Sequence, residues 1–135
     1  MSYFDKNGII KEELLDTEAE KIAKSFIKYR ENRPYEIDKN TSLSSAQLRR
    51  FFNEFRQLEK RVKVYGFQKI KPIIRMVKSK ASYAANPKTK KINIQFKDFL
   101  VKNVSSIETE DDFKAFMLHF EAVVGFFYGM GVSNN

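Results

Sequence analysis

Residues 43–66 read LSSAQLRRFFNEFRQLEKRVKVYG, and the spacing of their apolar side chains points to one regular structure. Leu48, Phe51, Phe52, Phe55, Leu58 and Val62 recur at steps of three and four, so they share one face of an α-helix. Ser44 is placed to cap its first turn, with Gln47 completing a capping box and Leu43 against Leu48 forming a hydrophobic staple. Tyr65-Gly66 ends it, since glycine accepts the left-handed conformation a helix stop requires. At 1.5 Å per residue such a helix is about 30 Å long.

The same periodicity continues on both sides. Downstream, Ile70, Ile73, Ile74, Val77, Ala81 and Ala84 form the stripe of a helix from Phe67 to about Ala85, closed by Asn86-Pro87. Pro72 fits it only in the first turn, where its missing N–H costs little. Residues 92–104 alternate like a strand at Ile92, Ile94 and Phe96 but repeat like a helix at Phe96, Phe99, Leu100 and Val104. With no partner strand elsewhere, a short helix starting near Ile94 or Gln95 is expected. Thr109 can cap a last helix whose first turn, Glu110, Asp111 and Asp112, suits the helix dipole. Phe113, Phe116, Met117, Phe120, Val124 and Phe127 are its core stripe. A second row, Ala115, Leu118, Ala122 and Phe126 with Gly125 and Gly129 at its edge, is either core of a covered helix or an interface between copies. Upstream, Thr17 with Glu20 suggests a capping box and a helix through Ile22, Ala23, Phe26 and Ile27, ended at Arg33-Pro34, with 32–43 a polar connection. The expected fold is all-α, one domain over 1–135 with about five helices in a compact bundle: 1–40 an N-terminal segment and helix, 41–128 the core, 129–135 a flexible tail.

Charge is segregated along the chain. Between Ser44 and Lys91 stand 14 Lys/Arg against two acidic residues, Glu54 and Glu59, while residues 92–135 carry three basic and six acidic. The overall charge of +8 therefore comes from one contiguous third, which points to a polyanion as partner. On the helix of residues 45–65, Arg49, Asn53, Arg56, Lys60 and Lys63 fall within an arc of roughly 80° beside the apolar stripe. Lys71, Arg75 and Lys78 share one side of the next helix. If the two helices pack antiparallel through Gly66, the rows can merge into one basic surface. The bland alternative is a solvated flank, but helices laced for solubility mix both signs, and this one hardly does.

Chemistry beyond charge is sparse. The chain has no Cys and a single His, so disulfides, thiolate sites and a two-His metal site are ruled out within it. His119 lies between apolar rows and reads as structural. Ser44 is explained by capping, the acidic first turn by the helix dipole, and the five Gly form no phosphate-binding loop. No catalytic residue, metal site, cofactor or small-molecule substrate is expected. Met1 to Glu20 lacks an apolar signal region and no apolar run reaches the roughly 18 residues of a membrane span, so a cytoplasmic protein without membrane contact is expected.

The order Leu43-Ser44-Ser45-Ala46-Gln47-Leu48-Arg49-Arg50-Phe51-Phe52-Asn53-Glu54, then Lys71-Pro72 and Lys80-Ala81-Ser82-Tyr83-Ala84-Ala85, resembles the small α-helical subunit of type III-A CRISPR interference complexes, the second protein of the Csm set. The match covers roughly residues 41–128. The resemblance implies a non-enzymatic subunit, stacked in copies as a filament, in contact with other Csm subunits, CRISPR RNA and target RNA. Its basic contact positions map onto Arg49, Arg56, Lys60, Arg75 and Lys78. A basic residue common soon after Tyr-Ala-Ala is delayed here by Asn86-Pro87 to Lys88. The alternative, carried by charge alone, is a helical DNA-binding or other polyanion-binding adaptor unrelated to CRISPR.

Overall fold

In the computed structural model, which describes residues 2–131, five α-helices follow one another: α1 Thr17–Ser25, α2 Ser45–Tyr65, α3 Phe67–Ala85, α4 Ile94–Ser106 and α5 Glu110–Gly129. A 3-10 turn, Glu12–Leu15, precedes α1. Strands are absent among the described residues, where the only bridges are the isolated pairs Phe4–Ile10 and Tyr29–Ile37. The fold is all-α, as the periodicity requires.

Helix starts follow the side chains that can cap them. Ser44 Oγ accepts from the Gln47 N–H at 3.2 Å, Asn93 Oδ1 from the Phe96 N–H at 3.1 Å, and Thr109 with Asp112 closes a full capping box. These bonds satisfy backbone donors that have no partner in the first turn. Leu43 and Leu48, the expected staple, are both buried. Gly66 ends α2 and begins α3 at φ 91°, ψ 150°. That positive-φ conformation is open to glycine, but it is extended rather than the compact left-handed turn expected.

Three expectations fail locally. Thr17 is the first residue of α1 rather than its cap, the cap position being Asp16 without a side-chain bond. The helix also stops at Ser25 instead of near Arg33. The carbonyl of Phe26, which a longer helix would use for the N–H of Arg30, accepts instead from the Leu43 N–H (2.9 Å) and the Asn93 amide (2.9 Å). Tertiary donors outcompete helix propagation there. Pro72 lies inside α3, in its second turn. The carbonyl its missing N–H leaves unpaired is that of Gln68, an exposed residue that water can reach.

The helices enclose one apolar cluster fed by every helix and by Tyr3 and Leu14. Its centre is aromatic: Phe120 lies within 5.1–6.1 Å, ring centre to centre, of Phe52, Phe55, Phe96, Phe99 and Phe116. Around it α3 packs between α2 and α4, and α5 packs on α2 and α1. The second row of α5 divides. Ala115 is buried, whereas Leu118 is 47% exposed and Gly125 and Gly129 lie in the open. His119, 1% exposed, donates from Nδ1 to the Leu14 carbonyl at 2.5 Å. Gly129 closes α5 and Met130 is half-buried against the core. The rest of the expected tail, residues 132–135, lies outside the described residues.

Candidate nucleic-acid interface

The basic row of α2 occupies the flank its helical angle dictates. Arg49, Asn53, Lys60 and Lys63 are exposed, and among the described residues no ion pair holds Arg49, Lys60 or Lys63. Nothing of opposite sign neutralises them, so each remains available to an outside anion. Arg56, in the middle of the same row, differs. Its guanidinium bonds Glu59 at 3.1 Å and Glu121 of α5 at 3.2 Å, and its carbon centre sits 4.9 Å over the Phe52 ring. It ties α2 to α5 before it can serve a ligand.

The row of α3 points elsewhere. Lys71 Nζ and Arg75 Nη2 converge on the carboxylate of Glu108, at 3.2 and 3.0 Å. Hydrogen bonds from Lys71, and then from Arg75, hold that carboxyl below the ordinary glutamate range. Arg75 also donates to the Val104 carbonyl, and Lys78 Nζ donates to Ser105 Oγ at 3.2 Å. The last carbonyls of a helix lack internal partners and carry its negative dipole end, so the C-terminus of α4 is a natural seat for these cations. The row is largely spent inside the molecule.

The two rows therefore do not merge. Arg56 reaching Glu121 puts the α2 row on the α5 side, whereas Arg75 reaching Val104 puts the α3 row on the α4 side. The seam where α2 and α3 meet is marked instead by the pair Glu54–Lys80. Both rows lie on the outer edges of the α2–α3 pair, facing away from each other. Lys88 is exposed on the loop between α3 and α4, its backbone N–H held by Asn86 Oδ1 at 2.8 Å.

A third group of cations went unnoticed in the sequence. Projection at 100° per residue puts Arg50 and Arg61 of α2, with Lys69 and Lys80 of α3, on the outer face of the seam. The signal was in the sequence, but only the antiparallel packing brings the two arcs to one surface.

The buried titratable side chains are Tyr3, whose hydroxyl donates to Asn103 Oδ1 at 2.9 Å, and His119. Burial raises the Tyr3 pKa and lowers that of His119, which keeps both neutral. No cluster of His, Asp and Glu suited to a metal ion occurs among the described residues, nor is any helix there long and apolar enough to cross a membrane.

Comparison with known proteins agrees with the residues quoted from α2 and α3. The family model described as Csm2 Type III-A matches residues 11–130, which extends the resemblance through α1 and the 3-10 turn. No curated protein and no solved structure matches the chain.

Proposed function

The chain belongs to the Csm2 type III-A family, and from that premise we propose that this small subunit of a type III-A CRISPR Csm complex lies along the backbone of the guide–target RNA duplex. Membership sets aside an adaptor unrelated to CRISPR. The observation that carries the proposal is the run of exposed, unpaired cations Arg49, Lys60 and Lys63 on one flank of a helix about 30 Å long.

The chemistry fits a guide complex. A-form duplexes present regular phosphates and a shallow minor groove, which a long basic helix can follow without reading bases. A complex that must accept any guide sequence gains nothing from base-edge contacts. Asn53 adds a neutral donor in the middle of the row, and Lys88, exposed on the α3–α4 loop, is a separate cation open to phosphate. Arg56 contributes by fixing the row to α5, and Lys71, Arg75 and Lys78 by fixing α3 to α4. The role is architectural and non-enzymatic, in the cytoplasm, without cofactor or small-molecule substrate.

Stacking of copies belongs to the same reading. The exposed side of α5, Leu118 with Gly125 and Gly129, offers a neighbouring subunit an apolar surface with little side-chain bulk, as a closely packed filament needs. The experiment is direct: RNA duplexes of unrelated sequence should bind the purified chain with similar affinity that falls steeply with salt. A strong sequence preference, or no binding at about 0.15 M salt, would refute the proposal.

A further inference from the structure

The outer face of the α2–α3 seam is neither core nor part of the two rows. At the end away from Gly66 it opens into a groove of about 410 Å³, lined by Arg50, Glu54, Lys80, Tyr83 and Lys91 over a floor that includes Phe51. Arg50 and Lys91 are exposed and, among the described residues, free of ion pairs. The carboxylate there, Glu54, is bound to Lys80. All 13 Phe are buried or half-buried, whereas Tyr83 keeps 66% of its surface exposed beside those cations.

The groove is built before any ligand arrives. The Lys91 N–H donates to the Ala84 carbonyl at 2.8 Å, and Thr89 Oγ1 donates to the Tyr83 carbonyl at 2.7 Å. The α3–α4 loop is thereby folded back onto the last turn of α3, which keeps Lys91 next to the tyrosine. The cationic face continues along the seam to Arg61, eleven positions and about 16 Å from Arg50 on the same helix.

We propose that this groove binds a single-stranded nucleic acid, one base lying on the Tyr83 ring and the adjoining phosphates on Arg50 and Lys91. A flat aromatic face flanked by cations is what an unpaired nucleotide requires, and base stacking tolerates any sequence. A base held inside a duplex has its faces covered by its neighbours, so the groove separates single strands from paired ones. That selectivity sets it apart from the α2 row, which suits duplex backbone. The proposal goes beyond the duplex reading and does not depend on it.

Two labelled RNAs, a mixed-sequence single strand and its duplex, measure the two surfaces separately by fluorescence anisotropy on the full chain. Tyr83→Ala should weaken single-strand binding by about 5- to 150-fold, the range for loss of one stacked base, and leave duplex binding unchanged. Tyr83→Phe should keep both affinities, and Arg50→Glu with Lys91→Glu should lower single-strand affinity and its salt dependence. Photocrosslinking of 5-iodouridine RNA should label the Tyr83 peptide. Unchanged single-strand affinity in Tyr83→Ala overturns the proposal even if reversal of the α2 row abolishes duplex binding. If duplexes fail to bind while single strands bind through Tyr83, the proposal stands and the duplex reading falls. Capture of an Asp/Glu-rich peptide with neither RNA bound overturns both.

Discussion

Reversing Arg49, Lys60 and Lys63 to glutamate together tests the duplex interface at its most exposed point. Among the described residues these three are the cations of the α2 row without an ion pair, so their loss should leave the fold nearly intact, within about 0.5 kcal/mol each. Arg56 belongs outside the set. Changing it removes two ion pairs and a cation–π contact, roughly 1–2 kcal/mol, and would mix binding with folding. If each of the three cations meets one phosphate, the slope of log affinity against log salt falls by roughly 0.9 per contact, about 2.7 in all. A four-fold rise in salt weakens each such contact about 3.5-fold, so three together account for about a 40-fold loss between roughly 50 and 200 mM salt. Anisotropy titrations with an RNA duplex across that range, beside thermal melts, give both numbers. Reversal of Lys6, Lys21 and Lys39, exposed cations of the N-terminal third, changes net charge equally and serves as the control. If the control lowers affinity and slope as much as the α2 triple, only bulk charge matters and the row is a solvated flank.

Phe120→Ala should cost about 3–5 kcal/mol, read as a lower denaturation midpoint, because five aromatic rings lose a shared neighbour. Glu108→Gln should be less stable than the parent at neutral pH. The Glu108 pKa is depressed by Lys71 and Arg75, so its stabilisation is complete above the ordinary value of 4.5 and is lost as pH falls through the depressed value; parent and variant melts should converge as acid protonates the carboxyl. His119 is pushed the same way by burial. Its folded form binds fewer protons than its unfolded one, so stability is complete above 6.5 and declines below it, and His119→Gln should remove that decline from melts taken between about pH 7 and 5.5. Leu118→Asp should leave melting unchanged and abolish self-association or entry into the complex; unfolding would instead make Leu118 part of the core.

The local rules that were legible in the sequence are those that need no knowledge of the rest of the fold. Ser44 and Thr109 sit at helix starts because a short polar side chain meets free N–H groups there, and the Phe spacing of α2, α4 and α5 places each apolar stripe; the Asn93 cap follows the same rule but was not read from the sequence. The failure at the end of α1 was decided at a distance. The end of α1 depends on Leu43 and Asn93 reaching the Phe26 carbonyl across 17 and 67 residues of chain, which no periodicity encodes. The N-terminal segment gave little signal for the same reason: Tyr3 is buried because Asn103 receives its hydroxyl, a pairing with no local signature. The candidate interface was half legible. Helical projection identified the α2 row correctly as a flank, but it put the cations of α3 in the same class because it could not see Glu108 or the end of α4.

Segregation of charge along the chain acquires a physical meaning from this. Fourteen cations between Ser44 and Lys91 would repel one another across α2 and α3 if all faced solvent. The acidic C-terminal third relieves part of that repulsion from within: Glu108 takes Lys71 and Arg75, and Glu121 takes Arg56. Those pairs lie where α3 meets α4 and where α2 meets α5, so the attraction between the basic and acidic thirds also orients the helices. Lys80 is taken by Glu54, while among the described residues Arg49, Lys60 and Lys63 on the α2 flank and Arg50, Arg61, Lys69 and Lys91 along the seam form no ion pair. Their uncompensated repulsion is a cost in the free chain that a phosphate backbone removes on binding. Affinity should therefore come from those two surfaces and stability from the paired row, which is why variants of Arg49 and of Arg75 should differ in kind: the first lowers RNA binding at constant melting temperature, the second lowers the melting temperature itself.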